Sequence, residues 1–360
     1  MTLDEPGPRL RVDDFDYELP TAAIAQLPLE PRDAARLLVV ERGASAPGHP
    51  ALSHRTFRGL GELVLPGDLL VVNDSRVIPA RLLATRGGGG SAEVLILRPI
   101  PNDADRWEAL VRPSRRIRHG ETLVLRSGDH VEVGEGLGDG TRAVRFDRDP
   151  HVVMNEAGET PLPPYIQDRS TPPDRYQTVY ADPPGSAAAP TAGLHFTPEL
   201  LRSLEAAGVG RAAVTLHVGL DTFRPLEGTF IDEHRIHREW YAIPSETEAA
   251  IARTRREGGR VVAVGTTSVR VLETAARDGL GAGWTDLYIT PPHDFQGVDA
   301  LITNFHLPRS SLLALVTAFV HAGMRGATPL EARDTLLGAY RTALAEGYRF
   351  FSFGDAMLIA

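Results

Sequence analysis

Histidine-bearing segments between Thr191 and Pro308 contain the residues of this sequence that are best suited to chemistry. His195 stands just before a predicted helix, where the partial positive charge of the helix N-terminus favours the neutral imidazole that a general base requires. His217 lies inside or just beyond a predicted strand, a position typical of a hydrogen-bonded core histidine as well as of a catalytic one. The pattern therefore predicts proton transfer without assigning it to one residue.

The densest cluster of polar side chains is formed by His234, His237 and Glu239. A His-x-x-His pair is compatible with a zinc site, but that spacing alone is a weak signal. If the segment is extended, His237 and Glu239 share a face, so that the carboxylate can orient the imidazole. We expect the His–Glu pair and no metal ion; a metallohydrolase built on this cluster is the alternative.

A Gly-Thr-Thr-Ser turn at Gly265–Ser268 follows a predicted buried strand and precedes a helix. Free backbone N–H groups at a helix start, with three hydroxyl side chains beside them, suit a carboxylate or a phosphate. The alternative is an ordinary helix cap, which Ser268 alone would provide. Asn304 and His306 also follow a strand, where a loop histidine is either a ligand contact or simply exposed.

All 38 basic residues are arginine, because the 360-residue chain has no lysine, and it has no cysteine either. This composition excludes Schiff-base and phosphate-loop lysines, thiolate nucleophiles and disulfides. The net charge of −9 argues against nonspecific nucleic-acid binding but permits a local basic patch. The candidate patch for RNA phosphates, unless it is only a solvated turn, consists of Arg112, Arg115, Arg116 and Arg118.

The chain shows no sign of membrane insertion or secretion. No stretch approaches the roughly 20 apolar residues of a membrane helix. The segment Met1–Arg11 is polar and lacks the apolar core of a secretion signal. We therefore expect a cytoplasmic location.

Two patterns of secondary structure divide the chain. From residue 67 to residue 149, short apolar runs, of which Leu69–Val72 is the first, alternate with turns at near ten-residue spacing. Such spacing predicts a small antiparallel β-barrel. After about residue 190, strands alternate with helices, which predicts an α/β sandwich with largely parallel strands. We expect a three-layer α/β sandwich at 1–66 and 150–360, with the barrel inserted at 67–149.

The signals for individual elements are strongest in the second pattern. Strands are expected at Arg36–Val40, which would join the same sheet, and at Ala212–Val218, Val261–Gly265, Asp286–Ile289 and Ala300–Asn304. In open α/β sheets ligands bind beyond the carboxyl ends of the strands. Helix starts are expected at Thr197, at a Ser245–Glu248 capping box, at Ser310 or Ser311, and at a Thr328–Glu331 capping box.

Eight motifs, in order and nearly end to end, resemble the S-adenosylmethionine:tRNA ribosyltransferase-isomerases of queuosine biosynthesis. No single motif is decisive, but the series is highly specific. The motifs lie at Phe15–Pro20, Ile24–Pro28, Asn73–Val77 with Ala80–Leu82, Pro190–Phe196, Thr215–Gly219, Val264–Arg270, Thr303–Pro308 and Tyr348–Asp355.

The resemblance implies the fold predicted above and a reaction. The ribosyl part of S-adenosylmethionine is transferred to 7-aminomethyl-7-deazaguanine at the tRNA wobble position and isomerised to epoxyqueuosine, while adenine and methionine leave. S-adenosylmethionine is then a substrate, and no metal or other cofactor is needed. The resemblance also implies tRNA as the partner and a monomer, with no membrane contact.

The same resemblance suggests roles for residues. Proton transfer falls to His195, His217, His237 and Glu239, in no fixed ranking. The basic patch of four arginines would bind tRNA. The methionine carboxylate would sit at Gly265–Ser268 with Arg270. The full set of expected substrate contacts is Thr191, Gly193, Arg224, Gly265, Thr266, Thr267, Ser268, Arg270, Asn304 and His306.

Two positions depart from the family pattern. Asp221 and Pro292 stand where loop glycines are expected, and glycine permits backbone torsions that other residues resist. A relative with the same fold and donor but a different acceptor base is therefore an alternative. A noncatalytic RNA-binding module is a further one.

Overall fold

The computed structural model describes residues 9–100, 103–138, 140–219, 225–279 and 281–360. Its strands are β1 (Arg36–Val40), β2 (Leu52–Thr56), β3 (Leu69–Asn73), β4 (Arg76–Val77), β5 (Arg81–Arg86), β6 (Ser91–Ile100), β7 (Asp103–Arg112), β8 (Glu121–Leu125), β9 (His130–Gly138), β10 (Thr141–Phe146), β11 (Gly158–Glu159), β12 (Pro184–Ser186), β13 (Gly210–Leu216), β14 (Glu239–Ala242), β15 (Val261–Val264), β16 (Ala282–Thr285), β17 (Ala300–Asn304) and β18 (Ala356–Ile359). Its α-helices are α1 (Pro150–Ala157), α2 (Pro198–Ala206), α3 (Ser245–Arg256), α4 (Thr266–Asp278), α5 (Ser311–Gly323) and α6 (Pro329–Ala345).

A nine-stranded mixed sheet forms the centre of the larger part, in the order β16-β14-β13-β3-β15-β17-β18-β1-β2. Helices cover both faces of this sheet. Alternate residues of a strand point to opposite faces, so each strand contributes to two separate cores. Leu38 and Val40 of β1 belong to the core that contains α4, α5 and α6. Leu37 and Val39 belong to the opposite core, with α2 and Phe57. The three-layer α/β sandwich predicted from the sequence is thus confirmed.

The smaller part is a closed antiparallel barrel of six strands. Its order is β5-β6-β7-β10-β9-β8, and pairing between β8 and β5 closes the ring. Alternating apolar residues fill its interior, including Val94, Ile96 and Ala109. Along the chain the barrel lies between β3 and β13, which pair in parallel in the large sheet. The predicted inserted barrel is confirmed as part of this fold class.

Three details of the prediction are wrong. Leu69–Val72 was expected in the barrel, but it forms β3 in the large sheet, and the barrel begins at β5. Asp286–Ile289 was expected to be a strand, whereas the strand there is β16, four residues earlier, at an antiparallel edge. The sheet is mixed rather than largely parallel, since β2, β14 and β16 pair only in antiparallel fashion.

The helix starts follow the sequence signals with one exception. Thr197 caps α2 by accepting the Leu200 N–H, and Ser310 caps α5 in the same way. Thr328 forms the expected capping box with Glu331 at the start of α6. Ser245, however, is the first residue of α3, so its hydroxyl forms no cap and the predicted box with Glu248 is absent. Within the described ranges no helix is long and apolar enough to cross a membrane.

Candidate active site

A cavity of about 820 Å³ lies between the barrel and the large sheet. This volume is within the range of small-molecule sites, and the position beyond the end of β13 agrees with where ligands bind in α/β folds. We call it the large cavity. Its barrel wall includes Leu97, Arg98, Trp107, Glu108, Thr141 and, from α1, His151. Its sheet wall includes His217, His234, His237, Glu239, Trp240, Arg270, Trp284 and Tyr288.

His217 directly follows β13 and is held on three sides. Its Nδ1 lies 2.9 Å from the Ser75 hydroxyl, and its ring stacks on Trp240 with 5.1 Å between centroids. Gly185 lies against the third side, where a Cβ would stand 2.6 Å from the imidazole Cε1. Burial lowers the pKa of His217, because the charged form loses hydration. The imidazole is therefore neutral at pH 7, as a general base requires.

A buried ion pair between Glu239 and Arg270 forms the floor of the large cavity. Both carboxylate oxygens are engaged, since Oε2 accepts from Arg270 and Oε1 accepts the Gly219 N–H at 2.7 Å. Arg270 also donates from Nε to the Leu287 carbonyl at 3.2 Å. Its Nη2 and the hydroxyl of Tyr288 are buried without a hydrogen-bond partner within the described ranges. Both residues line the large cavity, although these two donor atoms are themselves buried.

The Gly265–Ser268 turn opens into a different space, of about 60 Å³, which we call the small pocket. Gly265 caps α4 with a φ of +89°, a torsion that glycine accepts readily. Ser268 donates its hydroxyl to the Val264 carbonyl at 2.9 Å and is not available to a ligand. Thr267 Oγ1 is buried and has no partner among the described residues. The two parts of the predicted carboxylate seat, this turn and Arg270, are thus separated.

The small pocket is also lined by Thr191, Asn304 and His306, but these side chains are already engaged. Thr191 donates to Asn304 Oδ1 at 3.1 Å, and Asn304 Nδ2 lies 3.0 Å from His195 Nε2. His306 lies within 3.3 Å of the Thr303 hydroxyl. Val218 and Leu312 line both this pocket and the large cavity, so the two spaces are neighbours.

His195 and His306 differ from His217 in their burial. Burial lowers the pKa of His195 to about 3, helped by the charges of Arg349 and Arg32, and burial lowers that of His306 to about 3. His195 lies at a separate, small space with Arg32 and Arg349 and does not line the large cavity. The structure therefore brings His217, His237 and Glu239 together and leaves His195 apart.

The remaining predicted contacts lie at varied positions. Gly193 is a packing residue, since a Cβ there would stand 2.1 Å from the Tyr180 hydroxyl. Arg224 and Asp221 lie outside the described residues. Pro292 lines neither the large cavity nor the small pocket.

The four barrel arginines lie at the end of β7 and in the turn after it, all of them exposed. Arg112 pairs with Glu93, whereas Trp107 of the large cavity pairs with Pro99. Five residues of strand separate the two positions, or roughly 17 Å. The basic turn thus follows the end of β7, five residues from Trp107, whereas Thr141 of the cavity wall pairs with Leu110, two residues before Arg112.

A metal centre finds no support in the histidine cluster. His234 packs edge-on against Tyr288 at 5.7 Å, and no group of three potential ligand side chains is arranged for a metal ion within the residues that the structure describes. His234 and His237 both line the large cavity. Their position fits contact with an organic ligand.

Four residues of this site were missed in the sequence: Ser75, Gly185, Trp240 and Tyr288. Ser75 lies in the motif Asn73–Val77, which carried part of the resemblance, so a signal for it existed. Nothing in the local sequence indicates that Gly185 packs against a histidine 32 positions later, because that contact depends on the tertiary fold.

The fold and the large cavity define an α/β protein with an inserted barrel and a ligand-sized site, and comparison with known proteins assigns its family. A family model described as queuosine biosynthesis protein matches residues 12–359. Relatives from Symbiobacterium thermophilum and Rubrobacter xylanophilus are each 51% identical; they cover 97% of this chain and 100% and 98% of their own lengths. Both are named S-adenosylmethionine:tRNA ribosyltransferase-isomerase.

A solved structure supports the same assignment. The crystal structure of S-adenosylmethionine tRNA ribosyltransferase from Thermotoga maritima is 40% identical, with a TM-score of 0.54, and the match covers 96% of this chain and 100% of that one. The chain belongs to the queuosine biosynthesis protein family, and the resemblance recognised in the sequence is confirmed.

Proposed function

We propose that this enzyme transfers the ribosyl moiety of S-adenosylmethionine to 7-aminomethyl-7-deazaguanine at the wobble position of tRNA and isomerises it to epoxyqueuosine, releasing adenine and methionine. The observation that carries the proposal is the large cavity, which places His217, His237 and the Glu239–Arg270 pair around one space. Its volume of about 820 Å³ is sufficient for a nucleoside-sized donor and an incoming base.

His217 is the proposed general base that removes the proton beside the sulfonium. If its Nδ1–H donates to the Ser75 hydroxyl, the Nε2 lone pair is free for that proton. The Ser75 contact, the stacked Trp240 and the close backbone of Gly185 fix the ring in one orientation. His237, which lines the same cavity, is the proposed acid that assists the departure of adenine.

Arg270 is the proposed seat of the methionine carboxylate. Its Nη2 and the Tyr288 hydroxyl are buried donors without partners in the described chain, and leaving such groups unsatisfied costs about 1–3 kcal/mol each. A carboxylate would satisfy both. Glu239, whose two oxygens are engaged, then positions Arg270 rather than transferring a proton itself.

The small pocket supplies a secondary contact in this proposal. The buried Thr267 hydroxyl at the start of α4, which has no partner among the described residues, is its proposed donor. Asn304, His306, Thr191 and His195 form the buried, hydrogen-bonded wall behind it. The reaction uses side chains alone, with S-adenosylmethionine as a substrate rather than a bound cofactor.

The proposed partner is tRNA, bound by a monomer in the cytoplasm. The exposed basic turn at Arg112–Arg118 would contact tRNA phosphates.

Incubating the protein with S-adenosylmethionine and tRNA carrying the deazaguanine base tests the reaction. We expect adenine, methionine and epoxyqueuosine by mass spectrometry, and none of them with tRNA that carries guanine at that position. Adenine release with guanine-bearing tRNA would instead indicate a different acceptor. No adenine with any acceptor would refute the proposed reaction.

A further inference from the structure

All three tryptophans of the chain line the large cavity, and one of them is exposed. Trp107 is buried, and Trp240 packs against His217, but Trp284 on the edge strand β16 is 39% exposed. A large apolar side chain exposed at the mouth of a cavity is a candidate contact surface. Trp284 therefore needs an explanation that packing of the protein does not supply.

Trp240 and Trp284 belong to the same aromatic surface. They are directly opposite each other in the antiparallel pair β14–β16, so their side chains stand on the same face of the sheet. His217 stacks on Trp240 with an interplanar angle of 21°. A row of aromatic rings thus leads from the proposed general base to the rim.

Arg98 of the barrel stands beside the outermost ring but does not pack tightly on it. Its guanidinium carbon is 5.0 Å from the Trp284 ring centre, compared with 3.7 Å for Arg36 with Tyr348 and 5.7 Å for Arg11 with Phe230. The indole and the guanidinium come from the two parts of the molecule that enclose the large cavity.

The charges that line the large cavity are mixed, and Arg98 is already paired with Glu108 at 2.7 Å. Arg235 and Arg238 line the cavity and are exposed, and neither has an ion-pair partner within the part of the chain that the structure describes. Arginine forks bind phosphate, and unpaired RNA bases stack on tryptophan rings and on guanidinium planes. The rim combines both features.

We propose that Trp284, with Arg98 beside it and with Arg235 and Arg238 lining the same cavity, is a stacking platform for an unpaired nucleobase adjacent to the base being modified. This inference rests on the proposed function, because it takes RNA as the partner. A base held there would keep the flanking nucleotide out of the helical stack, while its neighbour enters the large cavity towards His217.

Fluorescence tests the platform without any turnover. In a Trp107→Phe, Trp240→Phe variant the remaining tryptophan is Trp284. We expect an RNA hairpin with an unpaired loop to quench it and a fully paired duplex of the same composition to leave it unchanged. Equal quenching by both RNAs, or by neither, would overturn the proposal.

Affinity provides the second test. Trp284→Ala should raise the Kd for the hairpin roughly 10-fold, the loss expected for one base–aromatic stack, whereas Trp284→Phe should retain most of the affinity. Leu137→Ala is a matched control, since Leu137 is 43% exposed on the barrel but outside the large cavity. An unchanged Kd for Trp284→Ala, or equal losses in the alanine and phenylalanine variants, would contradict stacking.

The two proposals fail in different ways. Hairpin-specific quenching without adenine release from any acceptor would support the platform and refute the reaction. Normal adenine release in Trp284→Ala, with an unchanged KM for tRNA, would support the reaction and refute the platform.

Discussion

The large cavity and the small pocket both have histidines in loops next to strands, but these histidines differ in their burial and in the space that they face. In the large cavity, His217 is half-buried and faces open space, with one ring nitrogen engaged by Ser75. Beside the small pocket, His195 and His306 are buried within hydrogen-bonded networks. Burial lowers the pKa of all three, but only His217 faces a space large enough for a substrate.

This difference shows that a lowered histidine pKa occurs both at a catalytic position and in a sealed core. A neutral imidazole beside a large cavity can accept a proton from a ligand. A neutral imidazole sealed in a core resists protonation because no water can solvate the charge. We therefore expect substitution of His217 to affect turnover, and substitution of His195 or His306 to affect stability.

The largest effect is expected for Glu239→Ala. Removing this carboxylate leaves the guanidinium of Arg270 buried without its ion-pair partner, which typically costs about 3–5 kcal/mol. Activity should fall more than about 100-fold, because Arg270 loses its position. Urea unfolding and adenine release measure the two losses.

Glu239→Leu with Arg270→Met is the control for that prediction. An apolar pair of similar volume removes both charges, and such replacements are often neutral or stabilising. Stability should return while activity stays absent. Recovery of activity in the double variant would contradict the role of Arg270 as the carboxylate seat.

His217→Gln and His195→Leu test the comparison most directly. His217→Gln should lower kcat by roughly 10²–10⁴-fold, the usual contribution of a general base, with the unfolding free energy changed by less than about 1 kcal/mol. His195→Leu should instead destabilise the fold by about 1–3 kcal/mol, because Asn304 loses its hydrogen bond to the imidazole. The opposite assignment of losses would show that His195 is the catalytic residue.

Much of the fold could be predicted from the sequence, and the errors in that prediction have physical causes. The apolar periodicity and cap residues were sufficient for the sandwich, the barrel and the starts of α2, α5 and α6. Leu69–Val72 was misplaced because a four-residue apolar run looks the same in a barrel and in a buried parallel sheet. Asp286–Ile289 looked like a strand because the segment is a short apolar run, but it forms an irregular wall of the cavity in which Leu287 and Ile289 are buried.

The site was harder to predict than the fold. His217 and Glu239 were identified because their residue types suit chemistry. Ser75 was not, because its contact with His217, 142 positions away, exists only once β3 and β13 pair side by side. The separation of Arg270 from Gly265–Ser268 is likewise a three-dimensional fact, since the two open into different spaces from the same helix.

The pH dependence of stability sharpens the view of the buried histidines. His195 and His306 have pKa values of about 3 in the folded chain and an ordinary value near 6.5 when unfolded. Between these values the unfolded state binds more protons, so stability is full above about pH 6.5 and falls as the pH decreases. Two such groups should give a slope near pH 5 of about 2.7 kcal/mol per pH unit. Urea unfolding from pH 7.5 to pH 5 measures this slope. An unfolding free energy that does not change with pH would show that these histidines are protonated equally well in the folded and unfolded states.

The smallest effects are expected at two adjacent hydroxyls of α4. Thr267 Oγ1 has no partner within the described ranges, whereas Ser268 donates to the Val264 carbonyl. Thr267→Val should raise the unfolding free energy by about 1 kcal/mol, because a buried hydroxyl without a partner is removed, and should raise the KM for S-adenosylmethionine a few-fold if the small pocket contacts the substrate. Ser268→Ala should cost about 1 kcal/mol of stability and leave that KM unchanged. An unchanged KM in Thr267→Val would remove the small pocket from the substrate site and assign binding to the large cavity alone.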